Sequence, residues 1–111
     1  KITTMNYLRR IQDVTKKYKN EAAFQNDVKQ FLKNNPNAFA VKYWAGNKFT
    51  VNGIPDVLAC INGVFHGIEL KTNTGVVRGI QKERMKQIKL AGGEAYVLRP
   101  KDFEEWKRTW F

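Results

Sequence analysis

Apolar residues recur along this chain with two different periods, and the changes of period divide it into elements. Between positions 4 and 18, Met5, Leu8, Ile11, Val14 and Tyr18 fall at approximately helical spacing. Asn20 is a suitable N-cap for a second helix over 21–34, which stops before Pro36. Its apolar residues are Ala23, Phe24, Val28, Phe31 and Leu32. At about 100° per residue, Glu21 falls in the middle of the arc set by Phe24, Val28 and Leu32. A carboxylate aimed at a core needs a partner. A first-turn Glu favoured by the helix dipole is the alternative. Phe39–Trp44 then reads as a strand, and 45–55 as a Gly/Asn-rich connection ending in Gly53-Ile54-Pro55.

The next stretch carries the strongest local signal. Two β-rich runs, 56–61 and 64–71, are separated by Asn62-Gly63. That pattern predicts a hairpin with a two-residue type I′ turn. The turn sets the register: Ile61 pairs with Val64, and Asp56 faces Glu69 with Cβ atoms about 5 Å apart. Lys71 shares their face, because side chains alternate along a strand. Like charges directly opposite one another are destabilising. Either this face is very exposed or a cation lies between the acids. Leu58, Cys60 and Phe65, on the same face, are expected to be buried, which favours a divalent cation held by oxygen ligands. Cys60 itself is read as core packing, since hard Mg²⁺ does not favour sulfur. His66 projects to the opposite face and is read as a core or interstrand residue.

A further helix is predicted over 80–91, closed by Gly92-Gly93. Gln81 points inward with Met85 and Ile88, while Lys82, Glu83, Lys86 and Lys89 occupy the opposite arc. Residues 94–98 form a strand, and Pro100-Lys101-Asp102 opens a last short helix carrying Phe103, Trp106, Trp110 and Phe111. Trp106, Trp110 and Phe111 suit the core or an oligomer contact better than base stacking. The order α-α-β-β-β-α-β-α describes an α/β protein: a mixed β-sheet of about four strands flanked by helices.

Composition narrows the function. One domain, 1–111, accounts for the 111 residues. An apolar content of 42% is too high for a disordered chain. No apolar run approaches the roughly 18–20 residues of a membrane span, and the N-terminus lacks the apolar region of a signal peptide. The single cysteine, Cys60, cannot form an internal disulfide, so the expected setting is reducing and cytoplasmic. Twenty Lys and Arg against ten Asp and Glu give a net charge of +10, which favours a polyanionic partner, most often nucleic acid. An anionic membrane usually wants a basic amphipathic helix, whereas these cations are spread along the whole chain. Arg78, Lys82, Lys86 and Lys89 could grip phosphates. The three lysines equally suit a solvated helix face.

The charged constellation reads P-D…(x)12…E-x-K: Pro55-Asp56, then Glu69-Leu70-Lys71. Two carboxylates and the Leu70 carbonyl can supply three oxygens to Mg²⁺. Such an ion polarises a phosphate and lowers the pKa of a bound water. Lys71 can orient or deprotonate that water, or stabilise charge on the phosphate. An ordinary Glu69–Lys71 salt bridge is the plainer alternative. Together, Gly53-Ile54-Pro55-Asp56, Glu69-Leu70-Lys71 and Gln81 resemble the PD-(D/E)xK nuclease superfamily, and more narrowly the VRR-NUC domain. Glu21, Asp56, Glu69, Lys71 and Gln81 each fall on a position of that pattern, which covers about residues 20–98. Residues 1–19 then add an N-terminal helix and 99–111 a C-terminal one. The Arg78-Gly79-Ile80 segment departs from the pattern, lacking its usual Ser/Thr-rich lead-in to the Gln.

The resemblance implies a restriction-endonuclease-like core and Mg²⁺- or Mn²⁺-dependent phosphodiester hydrolysis. By the same resemblance, Glu21 assists the metal site, and Gln81 holds Lys71 or the scissile phosphate. Stand-alone bacterial and phage members resemble Holliday junction resolvases and act as homodimers. A chain with one constellation nicks a four-way junction symmetrically only as a two-fold dimer. The expectation is thus a structure-specific endonuclease of branched DNA. The alternatives are a non-catalytic nucleic-acid-binding module and a nuclease of the same fold acting on flaps or other substrates.

Overall fold

The computed structural model describes residues 18–44 and 50–111. The helix expected over 4–18 lies, apart from Tyr18, outside the described residues. The chain from Glu21 follows the expected order. Helix α1 (Glu21–Lys33) is capped by Asn20, whose Oδ1 accepts from the Ala23 N–H at 2.9 Å. Strands β1 (Ala38–Lys42), β2 (Val57–Ile61) and β3 (Val64–Leu70) come next, followed by helix α2 (Gly79–Leu90) and strand β4 (Glu94–Leu98). A 3₁₀ turn (Pro100–Asp102) leads into helix α3 (Phe103–Trp110).

The four strands form one mixed sheet in the order β1-β2-β3-β4. The pairs β1–β2 and β2–β3 are antiparallel, while β3–β4 is parallel and therefore needs the α2 crossover. Asn62 (φ 50°) and Gly63 (φ 82°) both take left-handed backbone, as a type I′ turn requires. The predicted register follows from that turn: Ile61 pairs with Val64 and Val57 with Ile68.

Alternation then assigns the two faces. Val57, Ala59, Ile61, Ile68, Leu70 and Leu98 turn towards α1 and α3, where Phe24, Val28, Leu32, Phe103 and Trp106 complete the core. His66 lies on this face with no exposed surface. Its Nδ1 is hydrogen-bonded to the Tyr96 hydroxyl at 2.8 Å, and that hydroxyl accepts from Trp106 Nε1 at 2.7 Å. Burial holds the His66 pKa below its usual value, against a smaller upward pull from Glu94. The C-terminal aromatics are largely consumed within the chain. Trp110 stands edge-on to His66, and Phe111 packs edge-on against Phe31.

The second face is only partly covered. Helix α2 lies against β3 and β4 there, and Ile88 comes so close to Gly67 that a Cβ on that glycine would be 2.7 Å from Ile88 Cδ1. Towards the hairpin tip the cover ends. The expectation that Leu58, Cys60 and Phe65 are buried is therefore corrected: Leu58 is half-buried, and Cys60 and Phe65 are exposed. Cys60 is not core packing: it is exposed, and among the described residues no helix covers the β1–β2 side of this face.

Candidate active site

The two acids meet where the hairpin ends open. Pro55 is fully buried and Gly53 has φ +79°. A Cβ on Gly53 would lie 2.8 Å from the Ile80 carbonyl oxygen, so the Gly53-Ile54-Pro55 segment presses directly on the start of α2. That contact delivers Asp56 to the position just before β2, one residue beyond the last ladder pair Val57–Ile68, where its charge bears on Glu69. The Asp56 carbonyl accepts from the Tyr43 N–H at 2.8 Å, and its Oδ2 accepts from the Leu70 N–H at 2.9 Å. Backbone on both sides thus fixes the carboxylate.

Glu69 is 2% exposed, between the sheet and α2. Its Oε2 accepts from Gln81 Nε2 at 2.8 Å and lies 3.5 Å from Lys71 Nζ. Its Oε1 is buried without a hydrogen-bond partner. Burial and the neighbouring Asp56 charge push the Glu69 pKa up to about 7, more than Lys71 pulls it down. Two carboxyl groups this close repel when both are ionised. A hard cation between them would engage the orphaned Oε1 and neutralise that repulsion, so the donor set suits Mg²⁺ or Mn²⁺.

Gln81 is the link between helix and acid. It occupies the third position of α2, and its Oε1 accepts from the Arg78 N–H at 2.9 Å while its Nε2 serves Glu69. One amide thus caps the helix and orients the carboxylate, which explains how α2 begins without a Ser/Thr lead-in. Of the two expected partners, Lys71 and the scissile phosphate, the structure shows Gln81 on neither; its Nε2 donates to Glu69. Bracing of the neighbouring turn was not foreseen. Arg99 Nη1 donates to the Thr72 carbonyl at 2.6 Å, and Asn73 Oδ1 accepts from the Lys101 N–H at 3.0 Å. These bonds tie the segment after Lys71 to the end of β4, and no sequence signal marks them.

Asp56, Glu69, Lys71 and Gln81 are brought together. Glu21 is half-buried in the first turn of α1. Among the described residues, no group of three or more His, Cys, Asp or Glu side chains gathers as a metal site, so Glu21 stands outside the acidic pair. Arg78 is exposed at the start of α2 beside the site. Lys82, Lys86 and Lys89 are exposed further along α2, where they line a groove of about 590 Å³ floored by Met85, Ala95 and Val97. Among the described residues, no helix is long and apolar enough to cross a membrane.

A mixed four-stranded sheet flanked by three helices, with two acids and a lysine at the open end of its central hairpin, has restriction-endonuclease-like architecture. More narrowly, the chain has the fold of a VRR-NUC domain. A solved structure described as a VRR_NUC domain protein superimposes with a TM-score of 0.68 at 20% sequence identity, covering 86% of this chain and 91% of that one. No family model and no curated protein matches the chain.

Proposed function

We propose that the chain is a divalent-cation-dependent DNA endonuclease that hydrolyses phosphodiester bonds in branched DNA, as a four-way junction resolvase working as a homodimer. The observation that carries this reading is the buried, unpartnered Oε1 of Glu69, facing Asp56 across the hairpin end with Lys71 on the same carboxyl group. Asp56, Glu69 and the Leu70 carbonyl would hold Mg²⁺, for which Mn²⁺ can substitute. The bound ion would supply Lewis-acid polarisation of the phosphate and a lowered pKa for the attacking water.

The chain's own residues have separate tasks. The Leu70 N–H fixes Asp56, and Gln81 fixes Glu69, so neither acid must be reorganised when substrate arrives. Lys71, partly exposed beside Glu69, either takes the proton of the attacking water or stabilises charge on the phosphate. The water oxygen attacks phosphorus, one P–O ester bond breaks, and the leaving alcohol takes up a proton. Arg78, Lys82, Lys86 and Lys89 would hold flanking phosphates, which gives binding without sequence preference.

Labelled four-way junction, flap, plain duplex and RNA substrates, incubated with Mg²⁺ or with EDTA, test the reading. Paired nicks in the junction, with Mg²⁺ only, are expected. Asp56→Asn is expected to lose cleavage and keep binding. Preferential cutting of flaps would transfer the site to that substrate. Binding without any cleavage, unchanged in Asp56→Asn, would make the protein a non-catalytic nucleic-acid-binding module.

A further inference from the structure

Strand β1 is one edge of the sheet, and a groove of about 360 Å³ runs along it, beside the second half of α1. Leu32, Ala38 and Ala40 give the groove an apolar floor. Its rim is cationic. Lys29 and Lys33 stand one turn apart on α1, about 6 Å along the helix, and Lys42 stands at the far end of β1. The Lys42 ammonium lies 4.2 Å from the centre of the Trp44 ring, which holds it in place. Among the described residues, no Asp or Glu lines the groove. Phe39 lines it too, yet is 73% exposed. An aromatic ring left in water beside three cations is the combination that single-stranded nucleic acid uses: phosphates track the charges, and a base stacks on the ring.

We propose that the β1 groove holds an unpaired DNA strand, with its phosphates on Lys29, Lys33 and Lys42 and a base stacked on Phe39. Duplex DNA does not suit the groove, because paired bases stack on one another and offer no face to Phe39. The competing occupant is an acidic peptide that adds a strand to the β1 edge. Two observations favour DNA. Peptide carboxylates engage the lysines but not the ring, whereas a nucleotide engages both. The groove also leads away from the acid pair. The Tyr43 N–H, one residue past β1, donates to the Asp56 carbonyl at 2.8 Å. Phe39 lies four residues back from Tyr43, about 13 Å along the strand. An unpaired strand leaving the acids would reach the ring within about four nucleotides at roughly 3.4 Å each. The direction of this path rests on the cleavage reading, while the chemistry of the groove does not.

Fluorescence anisotropy of the full chain in EDTA, where no cleavage intervenes, tests this with a labelled single-stranded oligonucleotide and its blunt duplex. The parent is expected to bind the single strand. Phe39→Ala should weaken that binding by roughly ten- to a hundredfold, the scale of one lost base stack, and the loss should be specific to the single strand. Phe39→Tyr, which keeps a stacking face, should restore it. Lys29→Ala combined with Lys33→Ala should lower the log–log salt slope for the single strand by about 1.4, at about 0.7 per phosphate contact. These side chains are exposed, so thermal unfolding should report folded variants. Single-strand affinity untouched by Phe39→Ala, an equal loss for the duplex, or a slope untouched by the lysine pair overturns the proposal. Oligoglutamate bound more tightly than the single strand, and released by Phe39→Ala, would give the groove to a peptide and overturn it too. Cleavage is scored separately. Phe39-dependent single-strand binding with no substrate cut would refute the nuclease reading and leave the groove standing; junction cleavage with binding indifferent to Phe39 would do the reverse.

Discussion

Replacing Glu69 by Gln should make the metal-free protein more stable at neutral and alkaline pH. Glu69 ionises with a pKa of about 7 in the folded chain, against an ordinary 4.5. Its folded-state pKa is raised, so the fold is relatively most stable below pH 4.5. Stability then falls as pH rises through 7, and the penalty is complete above that. A shift of this size corresponds to on the order of 3 kcal/mol. Glu69→Gln removes the charge and keeps the shape. Its amide oxygen can still accept from Gln81 Nε2, and its amide nitrogen can donate towards Asp56. Urea unfolding in EDTA should therefore show the variant more stable than the parent by roughly 1–3 kcal/mol at about pH 8. The two should converge below about pH 4, and Mg²⁺ should raise the parent's stability at neutral pH by mass action. The one histidine, His66, is present in both proteins, so the difference isolates position 69. A parent whose stability is flat between these pH values, or a variant weaker than the parent at pH 8, would refute the reasoning.

Other substitutions probe the supports of the site. Gly53→Ala should cost about 2 kcal/mol or more by urea unfolding, from its positive φ and the clash with the Ile80 carbonyl; a neutral result would mean that α2 does not press on this loop. Gln81→Ala removes one of the donors to Glu69 Oε2, which raises the Glu69 pKa further. The Mg²⁺ concentration for half-maximal cleavage should then rise about tenfold or more near pH 7, and less at higher pH. DNA binding should weaken steeply with salt, and Lys82→Ala or Lys86→Ala should each reduce the log–log salt slope by about 1. An unchanged slope would make these lysines a solvated face.

The hairpin was legible because its information is local. Asn62-Gly63 permits one turn type, and a two-residue turn leaves one register, so the meeting of Asp56 and Glu69 followed from arithmetic. The inward Gln81 was equally legible from the helical period, though its partner was not. Period places Gln81 on a face, but whether it meets Lys71 or Glu69 depends on how α2 is set against β3, within about the length of one side chain. The open half of the sheet was illegible for a related reason. Alternation shows that Leu58, Cys60, Phe65 and Glu69 share a face; it does not show how far a twelve-residue helix reaches across that face. Burial at Glu69 and exposure at Cys60 coexist because α2 stops short. Glu21 shows the opposite limit, since its helical angle gave a direction without a partner.

The most direct test of the cation site needs no DNA. Mn²⁺ titrated into the parent, followed by electron paramagnetic resonance, should bind saturably and be displaced by Mg²⁺. Asp56→Asn should abolish that binding while the protein stays folded. Mn²⁺ bound equally well by Asp56→Asn and Glu69→Gln would contradict the account, because the two acids would then not be the ligands.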